Sequence, residues 1–262
     1  MNIAFFSHSA ELNGAERCLL ELVVGIRQHN IHPLVILPRD GSLVKKLERN
    51  NIEYIIYPYF WWAGYGVIKG YYHLILNNIL AIFLSRKLKK NRIDVVYSNT
   101  MVISIGALVA RKLGVKHIWH IHELIKKGHE IEFNLGSNFS KKFIEKNTNY
   151  IIYNSVAIKG EYDKYICNIK NTVVYNGILT GCYTKNNLNV SSKKEIRLCV
   201  IGNICRNKGQ AEAIEALSIL NKVVNNISLD IVGPGDERYI KELKVLCDAF
   251  NISEQVVWHG FS

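Results

Sequence analysis

Short apolar runs alternate with longer amphipathic stretches along most of the chain. Ile3–His8, Pro33–Pro38, Glu53–Pro58, Asp94–Asn99, His117–His122, Tyr150–Ser155 and Thr172–Asn176 are nearly continuous in Val, Ile, Tyr and Phe. Runs of that length without a polar alternate side fit strands buried on both faces of a parallel sheet. Between them, Ala15–Gln28, Val67–Lys90 and Met101–Leu113 space their apolar residues as helices do. Strand–helix alternation of this kind predicts an α/β, doubly wound fold. From Thr180 to Lys194 the pattern lapses into small and polar residues, the composition of a linker. It restarts with strand Ile196–Ile201, helix Gln210–Val224, strand Ser228–Val232, helix Glu237–Phe250 and strand Gln255–His259. The expected organisation is therefore a first domain over residues 1–180, a linker over 181–194 and a partial βαβαβ domain over 195–262. Three strands and two helices make about half of a doubly wound domain and leave a sheet edge uncovered.

Composition narrows the class. With 48% hydrophobic residues, 21% charged and four prolines in 262 residues, a disordered or proline-rich chain is excluded. No uninterrupted apolar run of about 18 residues occurs, so a membrane-spanning helix is not expected. The start, Met1–His8, has no basic leader and reads directly as a strand, so no signal peptide is expected. The net charge of +11 favours anionic partners, although a chain rich in Lys, Asn and Ile can also reflect coding bias. Its one dense cluster is Arg86–Arg92. Helix-turn-helix, RNA-binding strand and zinc-finger patterns are absent, so charge alone does not make nucleic acid an expected partner. The six cysteines form no C-x-x-C pair and read as reduced thiols of a cytosolic protein.

In open α/β sheets, ligands bind at the carboxyl ends of the strands, and three such loops carry chemistry. In the first, Asn13-Gly14 precedes a helix and gives a tight turn whose free N–H groups suit an anion, though an ordinary strand-to-helix turn needs the same residues. In the second, Trp119-His120-Ile121-His122-Glu123 closes a strand, and a period of two puts His120 and His122 on one face. Histidine there can polarise or hydrogen-bond a substrate at neutral pH, and one of the two also fits a packing role. No third ligand stands at a metal-binding spacing, so no metal is expected. In the third, a buried strand ends at Gly202, and Arg206 and Lys208 precede Gly209 at a helix start, a setting that favours phosphate. The order is not that of a P-loop, and no G-x-S-x-G elbow exists.

Taken in order, Asn13-Gly14-Ala15-Glu16-Arg17, Asp94–Thr100, Trp119–Glu123, Val174-Tyr175-Asn176-Gly177-Ile178 and Ile201-Gly202 through Lys208-Gly209-Gln210 resemble family 4 of the nucleotide-sugar glycosyltransferases. The resemblance implies a retaining enzyme of GT-B architecture, with two Rossmann-like domains facing a cleft. It implies transfer of a hexosyl group from a nucleoside-diphosphate sugar to a glycan or lipid-linked acceptor, in cell-surface polysaccharide synthesis, with no cofactor. By the same resemblance, Gly14 and Gly202 bring backbone N–H groups to the donor. Lys208 neutralises the departing diphosphate, and His122 contacts the transferring sugar. Asn13, Glu123 and His120 are further acceptor or sugar contacts, His120 the less favoured histidine. Two departures stand out. Asn203 occupies the place where many members have arginine, with Arg206 as a substitute cation. The segment carrying two glutamates eight positions apart, expected soon after Trp258–Phe261, is not in this chain. An alternative is therefore a truncated, inactive remnant or a binding module.

Phe60-Trp61-Trp62-Ala63-Gly64-Tyr65-Gly66, the apolar stretch Tyr71–Leu84 and the basic cluster after it suit an anionic membrane surface. The competing reading packs this helix on the sheet with Asn77-Asn78 on its wet side. The expected location is cytoplasmic, at the membrane face if the first reading holds.

Overall fold

The computed structural model describes residues 1–64, 66–123, 133, 135–164, 166, 168–177, 196–224 and 226–260. The linker expected over 181–194, together with Tyr65, Cys167, Ile178, Cys182 and Phe261, lies outside them. The chain divides into two compact units, Met1–Tyr183 and Thr184–Ser262.

The first unit holds strands β1 (Asn2–Ser7), β2 (His32–Leu37), β3 (Glu53–Ile56), β4 (Val95–Asn99), β5 (Lys116–Ile121), β6 (Tyr150–Tyr153) and β7 (Lys170–Val173). They form one sheet in the order β3-β2-β1-β4-β5-β6-β7, parallel at every pairing. Its helices are α1 (Gly14–Gly25), α2 (Ser42–Arg49), α3 (Val67–Leu88), α4 (Ile105–Leu113), α5 (Ser137–Asn147) and α6 (Val156–Tyr162). Alternate strand residues serve two cores. Ala4, Phe6, Ile36, Val96, Trp119, Ile121, Ile151 and Tyr153 pack with Leu84, Leu88, Leu108 and Ile144 of the helices on one face. Ile3, Phe5, Val35, Leu37 and Tyr97 pack with Leu19, Val23, Leu43 and Leu47 of α1 and α2 on the other. That division is why the strand sequences show no polar side.

The second unit is a parallel sheet in the order β10-β9-β8, from β8 (Ile196–Ile201), β9 (Ile227–Val232) and β10 (Val256–Gly260). Helices α7 (Gln210–Leu220) and α8 (Glu237–Ala249) cover it through Ile214, Leu217, Leu243 and Cys247. β8 is an edge strand, and Ile201 at its end is 79% exposed. The α/β fold class of the sequence reading holds in both units; the first is doubly wound, and the second is the expected βαβαβ half.

Several boundaries differ. β7 begins and ends earlier than Thr172–Asn176, because its pairing with β6 runs from Tyr150↔Lys170 to Tyr153↔Val173. The helix expected from Met101 begins only at Ile105, because Thr100 takes a φ of 87° and the Met101 N–H is held by Glu123. α2, α5 and α6 were not assigned from the pattern.

α3 corrects two expectations. By length and composition, the 25-residue stretch Val67–Asn91 contains an 18-residue window of mean hydropathy 1.4, apolar enough to cross a membrane. Asn77 is not on a wet side: it is fully buried. Its Oδ1 accepts from Phe60 N at 3.0 Å, and its Nδ2 donates to Phe60 O at 2.7 Å and to Ser104 Oγ at 3.2 Å. The amide thus stitches α3 to the aromatic loop and to the start of α4. Within that loop Trp62 is buried against Trp119 and Phe143, so it is a core residue and does not face a membrane.

Candidate functional site

The chemistry-bearing residues of the first unit gather at the carboxyl edge of its sheet, where β1, β4 and β5 end. His120 and His122 share a face of β5, as their spacing predicts, with ring centroids 3.9 Å apart. His122 Nε2 lies 2.9 Å from Asn99 Oδ1. Asn99 in turn donates from Nδ2 to the Ala15 carbonyl of α1 at 2.9 Å. With the amide nitrogen committed to a carbonyl, Oδ1 must accept, so the His122 proton sits on Nε2 and Nδ1 is the acceptor. Burial, assisted by the neighbouring His8, pushes His122 down to about 4, so the ring is neutral near pH 7.

His120 is more enclosed. Its Nδ1 lies 2.7 Å from the Tyr97 hydroxyl, and its Nε2 is buried without a partner. Burial first, and His122 second, lower it to about 3. Together with Tyr97, His120 borders a groove of about 680 Å³ alongside α1, lined also by Cys18, Leu22, Ile26, Ile118, Ile152 and Val174.

Glu123 is an anchor for backbone. Oε1 accepts from Met101 N at 2.6 Å, and Oε2 accepts from His122 N at 3.1 Å. Burial raises its carboxyl to about 7, against the lowering effect of those amides. The loop it holds is strained, since Thr100 is a β-branched residue at φ 87°. Thr100 is fixed from both sides: its N–H donates to His120 O, and its carbonyl accepts from Trp119 Nε1. The strain therefore sits beside Asn99 and sets the position from which it holds His122.

The α1 end of the site is built by residues to which the sequence reading gave no role. His8 Nε2 lies 3.1 Å from Glu16 Oε1, which also accepts from Ser9 Oγ at 2.6 Å. Glu16 is fully buried in the first turn of α1, and its second oxygen has no partner. Burial lowers His8, while the Glu16 carboxylate acts the other way. The available signal was positional: a histidine just past β1, an acid one turn into α1, and an asparagine closing β4. Asn13 and Gly14 stand exposed at the α1 N-terminus, and Asn13 makes no side-chain cap. The space where a Gly14 side chain would project is open, so the first amides of α1 are accessible to a ligand.

In the second unit, the loops after β8 and β9 and the end of β10 are joined through backbone. Gly202 N donates to Val232 O, Ile204 N to Pro234 O and Gly233 N to Gly260 O. Gly233, at φ 144°, passes so close that a Cβ there would lie 1.9 Å from the Gly202 carbonyl oxygen. Gly202, at φ 147°, instead borders open space. Lys208 is exposed just before Gly209, and among the described residues its ammonium makes no ion pair. Arg206 is engaged elsewhere, donating to Glu242 Oε2 at 2.6 Å and lying 5.0 Å from the Tyr239 ring. Both partners of that pair are more than half exposed, so it is worth at most about 1 kcal/mol and holds Arg206 loosely. Among the described residues, no three His, Cys, Asp or Glu side chains group as metal ligands. Cys18, Cys199, Cys205 and Cys247 are free thiols.

A sequence model of glycosyltransferase family 4 matches residues 12–180, more than half of the chain. The chain belongs to glycosyltransferase family 4. Residues 184–262 of this glycosyltransferase match the model of glycosyl transferases group 1. Among solved structures, HepE of Anabaena in complex with UDP is similar over 100% of this chain and 70% of its own, with 20% identity and a TM-score of 0.77. A glycosyltransferase from Rickettsia africae ESF-5 is 18% identical, with a TM-score of 0.73 over 100% of this chain and 68% of its own. The lipopolysaccharide outer core galactosyltransferase WaaB, without bound ligand, is 15% identical, with a TM-score of 0.64 over 100% and 68%. The shared fold is that of the GT-B glycosyltransferases. No curated protein matches the chain.

Proposed function

We propose that this glycosyltransferase moves a sugar from a nucleoside-diphosphate sugar to a glycan or lipid-linked acceptor, with retention of anomeric configuration, in cell-surface polysaccharide synthesis at the cytoplasmic membrane face. Complexes of Anabaena HepE with UDP and with UDP-glucose favour a uridine nucleotide as donor. The observation that carries the reading is the neutral His122, held by Asn99 at the sheet edge beside the open N-terminus of α1. A neutral imidazole with a fixed tautomer can hydrogen-bond a sugar hydroxyl without repelling the positive charge that develops at the anomeric carbon. In the second unit, Lys208 supplies a cation for the leaving diphosphate, stabilising charge where it develops without a metal or other cofactor. Arg206 joins it only by leaving Glu242.

The test is transfer and hydrolysis with a panel of sugar nucleotides, with product configuration read by NMR. Lys208→Ala and His122→Ala are each expected to lower turnover about 10²–10³-fold. Turnover indifferent to both substitutions overturns the assignment. Donor binding by calorimetry without turnover points to a binding module.

A further inference from the structure

We propose that the outer face of α3 is a docking surface for an anionic lipid bilayer, on which the helix lies parallel to the membrane plane. The proposal deepens the membrane side of the function above and rests on that reading only for its purpose. Its evidence is geometric. Ile68, Tyr71, Tyr72, Ile75, Ile79, Ile82 and Phe83 are all exposed, Ile68 at 88%. At about 100° per residue they fall on one stripe roughly 120° wide. The opposite side, Leu74, Asn77, Ala81, Leu84 and Leu88, is buried against the unit's own core. α3 is therefore apolar on two opposed faces, and its hydropathy is the sum of both.

That arrangement separates lying on a membrane from crossing it. To span, α3 would have to withdraw Asn77 from Phe60 and Ser104 and place it in hydrocarbon. In the plane of the interface, those bonds stay intact and only the outer stripe enters the acyl boundary. Charge identifies the surface. From Tyr54 to Ile93 the sequence has no Asp or Glu. Arg86, Lys87, Lys89, Lys90 and Arg92 stand exposed at one end of the stripe, and no acidic side chain among the described residues pairs with them. Tyr71, Tyr72 and Phe83 supply the aromatic rings that favour the headgroup level. Five exposed cations beside an exposed apolar stripe, with no acidic residue between Tyr54 and Ile93, match an anionic sheet of lipid.

The test is co-sedimentation of the whole protein with vesicles of phosphatidylcholine alone and of phosphatidylcholine with phosphatidylglycerol. Binding is expected to the anionic vesicles and to weaken as salt rises. Lys87→Glu/Lys90→Glu should weaken it about 25-fold or more, at about fivefold per lost cation. Ile79→Ser should weaken it about tenfold, with only a small drop in thermal melting because the side chain is 47% exposed. Equal binding to both vesicle types, or none, overturns the proposal. So does a concentration-dependent dimer that Ile79→Ser abolishes, or protein that resists alkaline carbonate extraction. Transfer to a soluble acceptor reads the reaction separately, so failure of docking and failure of the enzymatic reading give different results.

Discussion

Acid should unfold the first unit through its histidines, and the slope can be worked from their burial. His117, His120 and His122 are pushed by burial down to about 3, about 3 and about 4. An unfolded chain titrates them near 6.5. A folded-state value below the unfolded one means that the neutral ring is favoured in the fold. Each contribution is complete above about pH 6.5 and is lost as the pH falls through the folded value. Glu123 acts in the opposite sense. Raised to about 7, its contribution is present below the ordinary carboxyl range and is lost as the pH rises to 7. Near pH 5.5 the unfolded chain binds about 2.7 more protons at the three rings and the folded chain about 0.9 more at Glu123. The difference gives a loss of about 2.5 kcal/mol per pH unit on acidification. For a unit of this size, that lowers Tm by about 5–10 °C per unit. The assay is urea and thermal unfolding at half-unit steps from pH 7.5 to 4.5, with His117→Gln beside the parent. Gln can keep a hydrogen bond to Ser98 Oγ, which lies 2.9 Å from His117 Nε2, and cannot titrate. The slope of the variant should fall by about 1.2 kcal/mol per pH unit. Stability that stays level from pH 6.5 to 5, or an unchanged slope in His117→Gln, refutes the reasoning.

Three other outcomes follow from geometry. Gly233→Ala should destabilise the second unit by about 3 kcal/mol or more, read by urea unfolding, since both its φ of 144° and the Gly202 carbonyl oppose a side chain. Asn77→Leu should cost about 2–4 kcal/mol by leaving the Phe60 amide and carbonyl and Ser104 without their partner, and melting without a clear loss argues against the stitch. Asn99→Leu should reduce turnover while leaving donor affinity in calorimetry nearly unchanged, with 15N chemical shifts showing His122 released from a single tautomer; an unaltered tautomer population removes Asn99 from its positioning role.

The strands were legible because each is buried on both faces, so the apolar run itself is the signal. The pairing of His120 with His122 was legible because a period of two is a property of any strand. The role of Asn77 was not. Two adjacent asparagines in a helix look solvated, and only Phe60 and Ser104, brought up from elsewhere in the chain, satisfy the buried one. Glu123 likewise followed a strand histidine and suggested a ligand contact, whereas its oxygens hold the amides of Met101 and His122. The early start given to α4 failed for the same reason, because that loop owes its strained turn at Thr100 to a carboxylate 23 residues later. His8 and Glu16 form a pair only once β1 and α1 meet. Periodicity reports burial, while the partner of a polar group is a tertiary fact.

The doubled apolar character of α3 also bears on how the chain is made. Its inner face is covered by α4 and by Ser104, both synthesised after it. At about 5–20 residues per second, the stretch from Leu88 to Leu113 takes roughly 1–5 s to emerge. During that interval the nascent chain offers a helix long and apolar enough to span a bilayer, with a cluster of cations behind it and no folded partner. Prompt arrival of α4 decides whether ribosome-associated targeting factors find that helix before the fold does, so slow codons between Leu88 and Leu113 should divert product toward the translocon.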